Sequence, residues 1–291
     1  MGEAEVHALF GRPMPVFADV SRWRKFGLSG SDASRWLNDI VTNRVDDLRP
    51  YKTRRTLLLD RTGHVRADFH VFAMPDDSFV IVQDAVQPRP AGELMIPYVL
   101  SADVTITDQT AELGLLCHPH SGRVMTIEGW SPGVLGSGFD QIVPAAGIDE
   151  RRTSLGNFLE ASEQDLEVWR IQRGTPRFGV DFDEGWLPSE ADLDDLIDTT
   201  KGCFLGQESV ARVRNLGHPP RLVLAFHGAG EVLPMALVLA DGEEVGRITS
   251  VAPLGGGEGT ACIGWVRWEA REASLTTDRG VPLRARSDHA A

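Results

Sequence analysis

Beyond "NLGHPPR" the chain stops mixing helical and extended patterns and carries short strands alone. That change constrains the fold more than any other feature. "LVLAFHG", "MALVLADGEEVGRITSV" and "ACIGWVRW" are strand-length apolar runs. Asp241-Gly242 lies inside the second, and this dipeptide favours a tight hairpin because both residues tolerate positive φ. Short strands at close spacing must close or stack to hide their edges, so a small C-terminal β-barrel is expected. "LGGGEGT" reads as a loop within it, and the tail "RARSDHAA" as frayed. The expected division is residues 1–215 and residues 216–291.

The first part mixes periods. In "SGSDASRWLNDIVTN", Ala33, Trp36, Leu37 and Ile40 recur at helical spacing, with Ser31 placed to cap the start. In "TLLLDRTGHVRADFHVFAMPDDSFVIVQ", Leu57–Leu59 make a short strand and "RTGH" a turn. The next strand puts Val65, Ala67, Phe69 and Val71 on one face and Arg66, Asp68 and His70 on the other. A further strand is expected at Phe79–Val82. A second amphipathic helix runs through "SEQDLEVWRIQRG", where Ser162 and Asp165 resemble a capping box and Gly174–Pro176 ends the helix. Residues 174–200 are acidic, aromatic and broken by Pro176 and Pro188, so an irregular loop is expected. The class that follows is α+β.

Charge and cysteine usage narrow the function. A net charge of -13 opposes general binding to nucleic acid or anionic membranes. Three cysteines, Cys117, Cys203 and Cys262, with no CxxC spacing do not make a disulfide framework. "MGEAEVHALFGRPMPVF" has no basic region followed by an apolar run, and no stretch approaches bilayer length. A cytoplasmic protein without membrane contact is expected.

GxxxxGK[ST], GxGxxG after a strand and HExxH are all absent from the sequence. "CHPHSG" gathers Cys117, His118 and His120, but the spacing matches no standard zinc site, so no metal is expected. Asp68 is a carboxylate that can act as a base or steer an amine if it faces a cavity; the plainer reading makes it a solvated strand position or a partner of Arg66. In "TTKGCFLGQESVARVR", Cys203 precedes a helix start at Gly206-Gln207-Glu208 and lies two residues from Lys201. A helix N-terminus and an ammonium both favour a thiolate. Cys203 and Phe204 read equally well as core packing.

"KGCFLGQESVAR" resembles the signature K-G-C-[FY]-x-G-Q-E-x-x-x-R of the YgfZ family of folate-binding proteins, relatives of the GcvT aminomethyltransferase of glycine cleavage. It matches at Lys201, Gly202, Cys203, Phe204, Gly206, Gln207, Glu208 and Arg212. "FGLSGSDASRWLNDIVTNRV" with its Thr42-Asn43 ending, "LLLDRTGHVRADFHVF", "WRIQRGTPRFGVDF", "LPSE" and "VGRITS" resemble further segments of the family. The resemblance runs from about residue 17 to about residue 270.

It implies a GcvT/YgfZ-like cloverleaf of sub-domains around a central, folate-sized opening, with tetrahydrofolate as cofactor. The implied role is support of iron–sulfur cluster assembly or repair, with iron–sulfur client enzymes or assembly machinery as partners and a link to tRNA modification through such enzymes. Cys203 is the implied functional thiol, with Lys201 beside it and Gln207, Glu208 and Arg212 shaping that surface. Two departures from the transferases stand out. Asp68 matches the second of their paired aspartates, while Ala67 replaces the first. Gln172, after Arg170 and Ile171, replaces a glutamate that can hold the pterin ring, and Glu190 is a candidate substitute. The alternative is a tetrahydrofolate-dependent aminomethyl or methyl transferase using Asp68. A third reading, tRNA binding through Arg212, Arg214, His218 and Arg221, runs against the charge.

Overall fold

The computed structural model describes residues 15–119, 129–130, 133–135, 138–254 and 259–286, with backbone alone at 213–216. Two compact units result. One comprises Arg12–Ser162 and Asp195–Gln207; the other takes in Glu163–Asp194 and Glu208–Ala291. His120 and residues 255–258 and 287–291 lie outside the described residues.

The first unit holds two sheets. β1 is Val16–Asp19, β2 Arg24–Ser29, α1 Ala33–Ile40, β3 Thr53–Leu59, β4 Val65–Ala73 and β5 Phe79–Gln83. α2 is Ala91–Met95, β6 Thr105–Asp108, β7 Leu113–His118, β8 Phe139–Pro144, α3 Ile148–Ser154 and β9 Leu159–Glu160. The five-stranded sheet has the order β3-β4-β5-β2-β6, and the four-stranded sheet the order β8-β7-β1-β9. The apolar stripe of α1 behaves as its period requires: Ala33, Trp36, Leu37 and Ile40 are buried with Ala67, Phe69 and Val71 of β4 in one cluster. Ser31 does not cap α1; its N–H and hydroxyl both bind Asp103 Oδ2, at 3.0 and 2.7 Å. Asp32 holds the N-cap position without a side-chain cap bond. β3 begins at Thr53 rather than Leu57, because Arg54 and Arg55 find carboxylate partners in Asp47 and Asp68 and so tolerate the strand.

The second unit is built on a closed barrel. α4 is Glu163–Arg173, α5 Gln207–Leu216, β10 Arg221–Gly228, β11 Leu237–Ala240, β12 Glu243–Pro253, β13 Thr260–Arg267, β14 Leu275–Thr277 and β15 Pro282–Ala285. The strands close in the order β10-β13-β12-β11-β14-β15. Asp241 (φ 51) and Gly242 (φ 85) join β11 to β12 with both turn residues left-handed, as the Asp-Gly signal requires. Phe226, Val238, Ile248, Cys262 and Val266 fill the interior. α4 packs on β12 and β13. No helix among the described residues is long and apolar enough to cross a membrane.

Candidate functional site

The signature loop is anchored nearly everywhere except at its thiol. Asp198 Oδ1 accepts the Thr200 N–H (2.7 Å), the Thr200 hydroxyl (2.6 Å) and the Lys201 N–H (3.1 Å). The Thr200 hydroxyl leads the causes that hold this carboxyl well below its usual range. Arg44 Nε adds a 3.1 Å ion pair to Oδ2. The Asp198 N–H donates to Thr42 O (3.1 Å), and the Thr42 hydroxyl donates to Leu196 O (2.8 Å). Phe204 is buried, and Leu205 packs against the α1–β4 cluster. Gly206 has φ 84, and a Cβ there would sit 2.4 Å from Asp60 O in the β3–β4 turn, so only glycine fits.

Cys203 is exposed, whereas Cys117 and Cys262 are buried. Burial pushes the Cys262 thiol up to about 12 and raises Cys117 well above its usual value. The core-packing reading of the opening motif therefore holds for Phe204 and not for Cys203. Cys203 precedes the first residue of α5, Gln207, whose N–H donates to Phe204 O at 3.2 Å. Lys201 has a different task from the one expected. Its ammonium donates to the carbonyls of Asn38 (2.5 Å), Val41 (2.5 Å) and Asn43 (3.0 Å), not to the thiol. Burial lowers it to about 8 against the pull of Asp198, Asp39 and Asp46. Gln207 is half-buried; Glu208 and Arg212 on α5 are exposed.

Asp68 is neither solvated nor paired as expected. It is 7 % exposed. Arg55, not Arg66, grips it bidentately: Nε to Oδ1 at 2.9 Å and Nη2 to Oδ2 at 2.5 Å. The cause is register. Asp68 pairs with Leu57 and His70 with Arg55, so Arg55 reaches Asp68 on the diagonal. The backbone of Asp68 is locked by Gln87, which accepts its N–H (3.1 Å) and donates to its carbonyl (2.5 Å). His70 is held down to about 3 by burial and then by Arg55, so its ring is neutral near pH 7.

The remaining candidates lie in the barrel unit. Arg170 uses all five N–H donors internally: on Glu167 (2.8 and 2.6 Å), Asp181 (2.7 Å), Thr175 O (3.0 Å) and Ser250 (2.8 Å). Asp181, which sequence reading passed over, is the hub; it also accepts the Thr249 and Ser250 hydroxyls at 2.6 Å. Its signal was an aspartate within an acidic, aromatic run. Both Glu190 oxygens are occupied, by Arg221 Nε (2.8 Å) and the Leu187 N–H (2.6 Å). Arg221 also stacks 3.4 Å over the Trp186 ring. Gln172 donates through Nε2 to Pro253 O (2.8 Å), and its Oε1 accepts no hydrogen bond among the described residues. His218 stacks on Trp268 at 4.7 Å. The side chain of Arg214 lies outside the described residues.

Among the described residues no cluster of three His, Cys, Asp or Glu side chains is arranged to hold a metal ion. His118 is buried, stacked on Phe139 at 4.4 Å, with both ring nitrogens unpaired.

A chain with one closed six-stranded barrel unit and one α+β unit has the elements of a GcvT-like fold. The aminomethyltransferase T of the Bartonella henselae glycine cleavage system superposes with a TM-score of 0.82 over 98% of this chain and 88% of that one, at 17% identity. At that identity the likeness is one of fold. In sequence, residues 5–126 match the family described as the GCVT N-terminal domain. A Haemophilus influenzae protein described as uncharacterized is 26% identical over 263 residues, 84% of this chain and 86% of its own length. An aminomethyltransferase of Streptomyces coelicolor is 21% identical over 289 residues, 86% of this chain and 77% of its own. In fold, and over residues 5–126 in sequence, the chain is thus GcvT-like.

Proposed function

We propose that this chain is a tetrahydrofolate-binding protein of YgfZ type that supports iron–sulfur cluster assembly or repair, with Cys203 as its working thiol. The carrying observation is Cys203 itself. Cysteine is among the most buried residue types, yet this one is exposed between anchored neighbours. An exposed, non-disulfide thiol on a fixed loop suits reversible contact with iron or sulfur.

The aminomethyl or methyl transferase reading draws on relatives named aminomethyltransferase. It requires Asp68 to receive an amine, and Arg55 already fills that carboxylate as an internal cation. We therefore rank it second.

For the folate, the barrel unit offers Gln172 Oε1 as an acceptor for one N–H of a pterin ring. Glu190 is a poor substitute, since ligand binding would displace Arg221 or the Leu187 N–H. Bound tetrahydrofolate supplies a carrier for one-carbon units. The chain's part is to orient the ring through Gln172.

The test is titration of the protein with tetrahydrofolate. Saturable binding is expected, and Gln172→Glu should tighten it by about tenfold, because a carboxylate accepts from two adjacent donors. No binding to either variant would remove the folate from this reading.

A further inference from the structure

Two motifs about 160 residues apart meet at one atom. The helix end "VTN" and the loop "KGC" share Lys201 Nζ, which donates to Asn38 O, Val41 O and Asn43 O at 2.5, 2.5 and 3.0 Å. A helix leaves its last carbonyls without partners, and a cation there is favoured by the helix dipole. An ammonium carries three donors. Here each finds a carbonyl at or just beyond the end of α1, and the Phe204 ring lies 5.6 Å from the same atom. We propose that Lys201 is a positioning residue: a cationic cap on α1 that fastens the signature loop and so fixes where Cys203 stands. Its bearing on function rests on the role proposed for Cys203; the fastening itself does not.

Residue usage supports this. Only three of the chain's 29 basic side chains are lysine: Lys25, Lys52 and Lys201. Two of the three are buried against backbone carbonyls, Lys25 reaching Ser21 O (2.5 Å) and Trp23 O (2.7 Å). In a chain that otherwise relies on arginine, two of its three lysines stand where carbonyls converge on a point. A planar guanidinium cannot direct three donors from one atom. A neutral side chain at 201 would leave the buried carbonyls without a donor.

The fastening is testable on the free protein. A nitroxide attached to Cys203, the exposed thiol, reports loop motion by electron paramagnetic resonance. The wild type should give a restricted spectrum. Lys201→Met keeps the apolar stem and removes the donors, and it should shorten the label's rotational correlation time several-fold while the far-ultraviolet circular dichroism stays unchanged. Identical spectra would overturn the proposal. If Lys201→Met does not fold, amine acylation of the wild type decides: Lys52 should react while Lys201 stays protected, and equal labelling of both would overturn it. Neither readout involves folate or an iron–sulfur enzyme. An intact function in Cys203→Ala would therefore sink the role of the thiol and leave the fastening standing.

Discussion

At Asp68 both carboxylate oxygens are taken by Arg55, whereas around Cys203 Lys201 and Phe204 are held and the thiol is left to solvent. Both positions belong to the same unit. In one, the chain satisfies its own chemistry; in the other, it ties down residues around an exposed sulfur atom and leaves that atom to solvent. The difference teaches that a residue type at a family position is not yet a working group. What counts is whether its atoms are already used.

The same contrast separates the thiols, and pH sharpens it. Cys117 lies beside Asp140, whose carboxyl is pushed up to about 7 by burial, and next in sequence to His118, which burial and then Arg151 hold down to about 4. The signs oppose each other. His118 is protonated in the unfolded chain below about 6.5 but not in the folded one, so it costs stability as pH falls from 6.5 towards 4. Asp140 stays protonated in the folded chain above its unfolded value, so it costs stability as pH rises from about 4 to 7. Denaturant unfolding between pH 4 and 7 should therefore diverge in two variants. His118→Phe removes the acid cost and Asp140→Asn the neutral-pH cost, each by at most about 3–4 kcal/mol. Parallel profiles would show that this region is not the sealed counterpart of the Cys203 loop.

The pair at Asp68 can be broken directly. Arg55→Ala leaves a nearly buried carboxylate without its cation and should lower unfolding stability by about 2–4 kcal/mol, less than for a fully buried pair because Arg55 is partly exposed. Adding Asp68→Asn should recover part of the loss. A change below about 0.5 kcal/mol for Arg55→Ala would mean that Asp68 is not held as the geometry implies.

Periodicity made α1 and β4 legible, since helical spacing at Ala33, Trp36, Leu37 and Ile40 and alternation along Val65–Val71 follow from burying one face. The Asp241-Gly242 turn was legible because its backbone angles demand those residue types. Side-chain partnerships were not. Arg66 is nearer Asp68 in sequence, but cross-strand register hands the carboxylate to Arg55. Lys201 is nearer Cys203, yet its partners lie about 160 residues away at the end of α1. Glu190 reads as a free carboxylate until Arg221 and the Leu187 N–H are seen on it. Local pattern encodes which face is buried; long-range packing decides which polar atoms remain available.

The most direct measurement sets the two positions side by side. Cys203→Ala and Asp68→Asn are each expressed in a strain lacking this protein, and the activity of its iron–sulfur enzymes is assayed. Cys203→Ala should fail to restore that activity, while Asp68→Asn restores most of it. Full restoration by Cys203→Ala together with loss in Asp68→Asn would contradict the reading and return the chain to aminomethyl transfer.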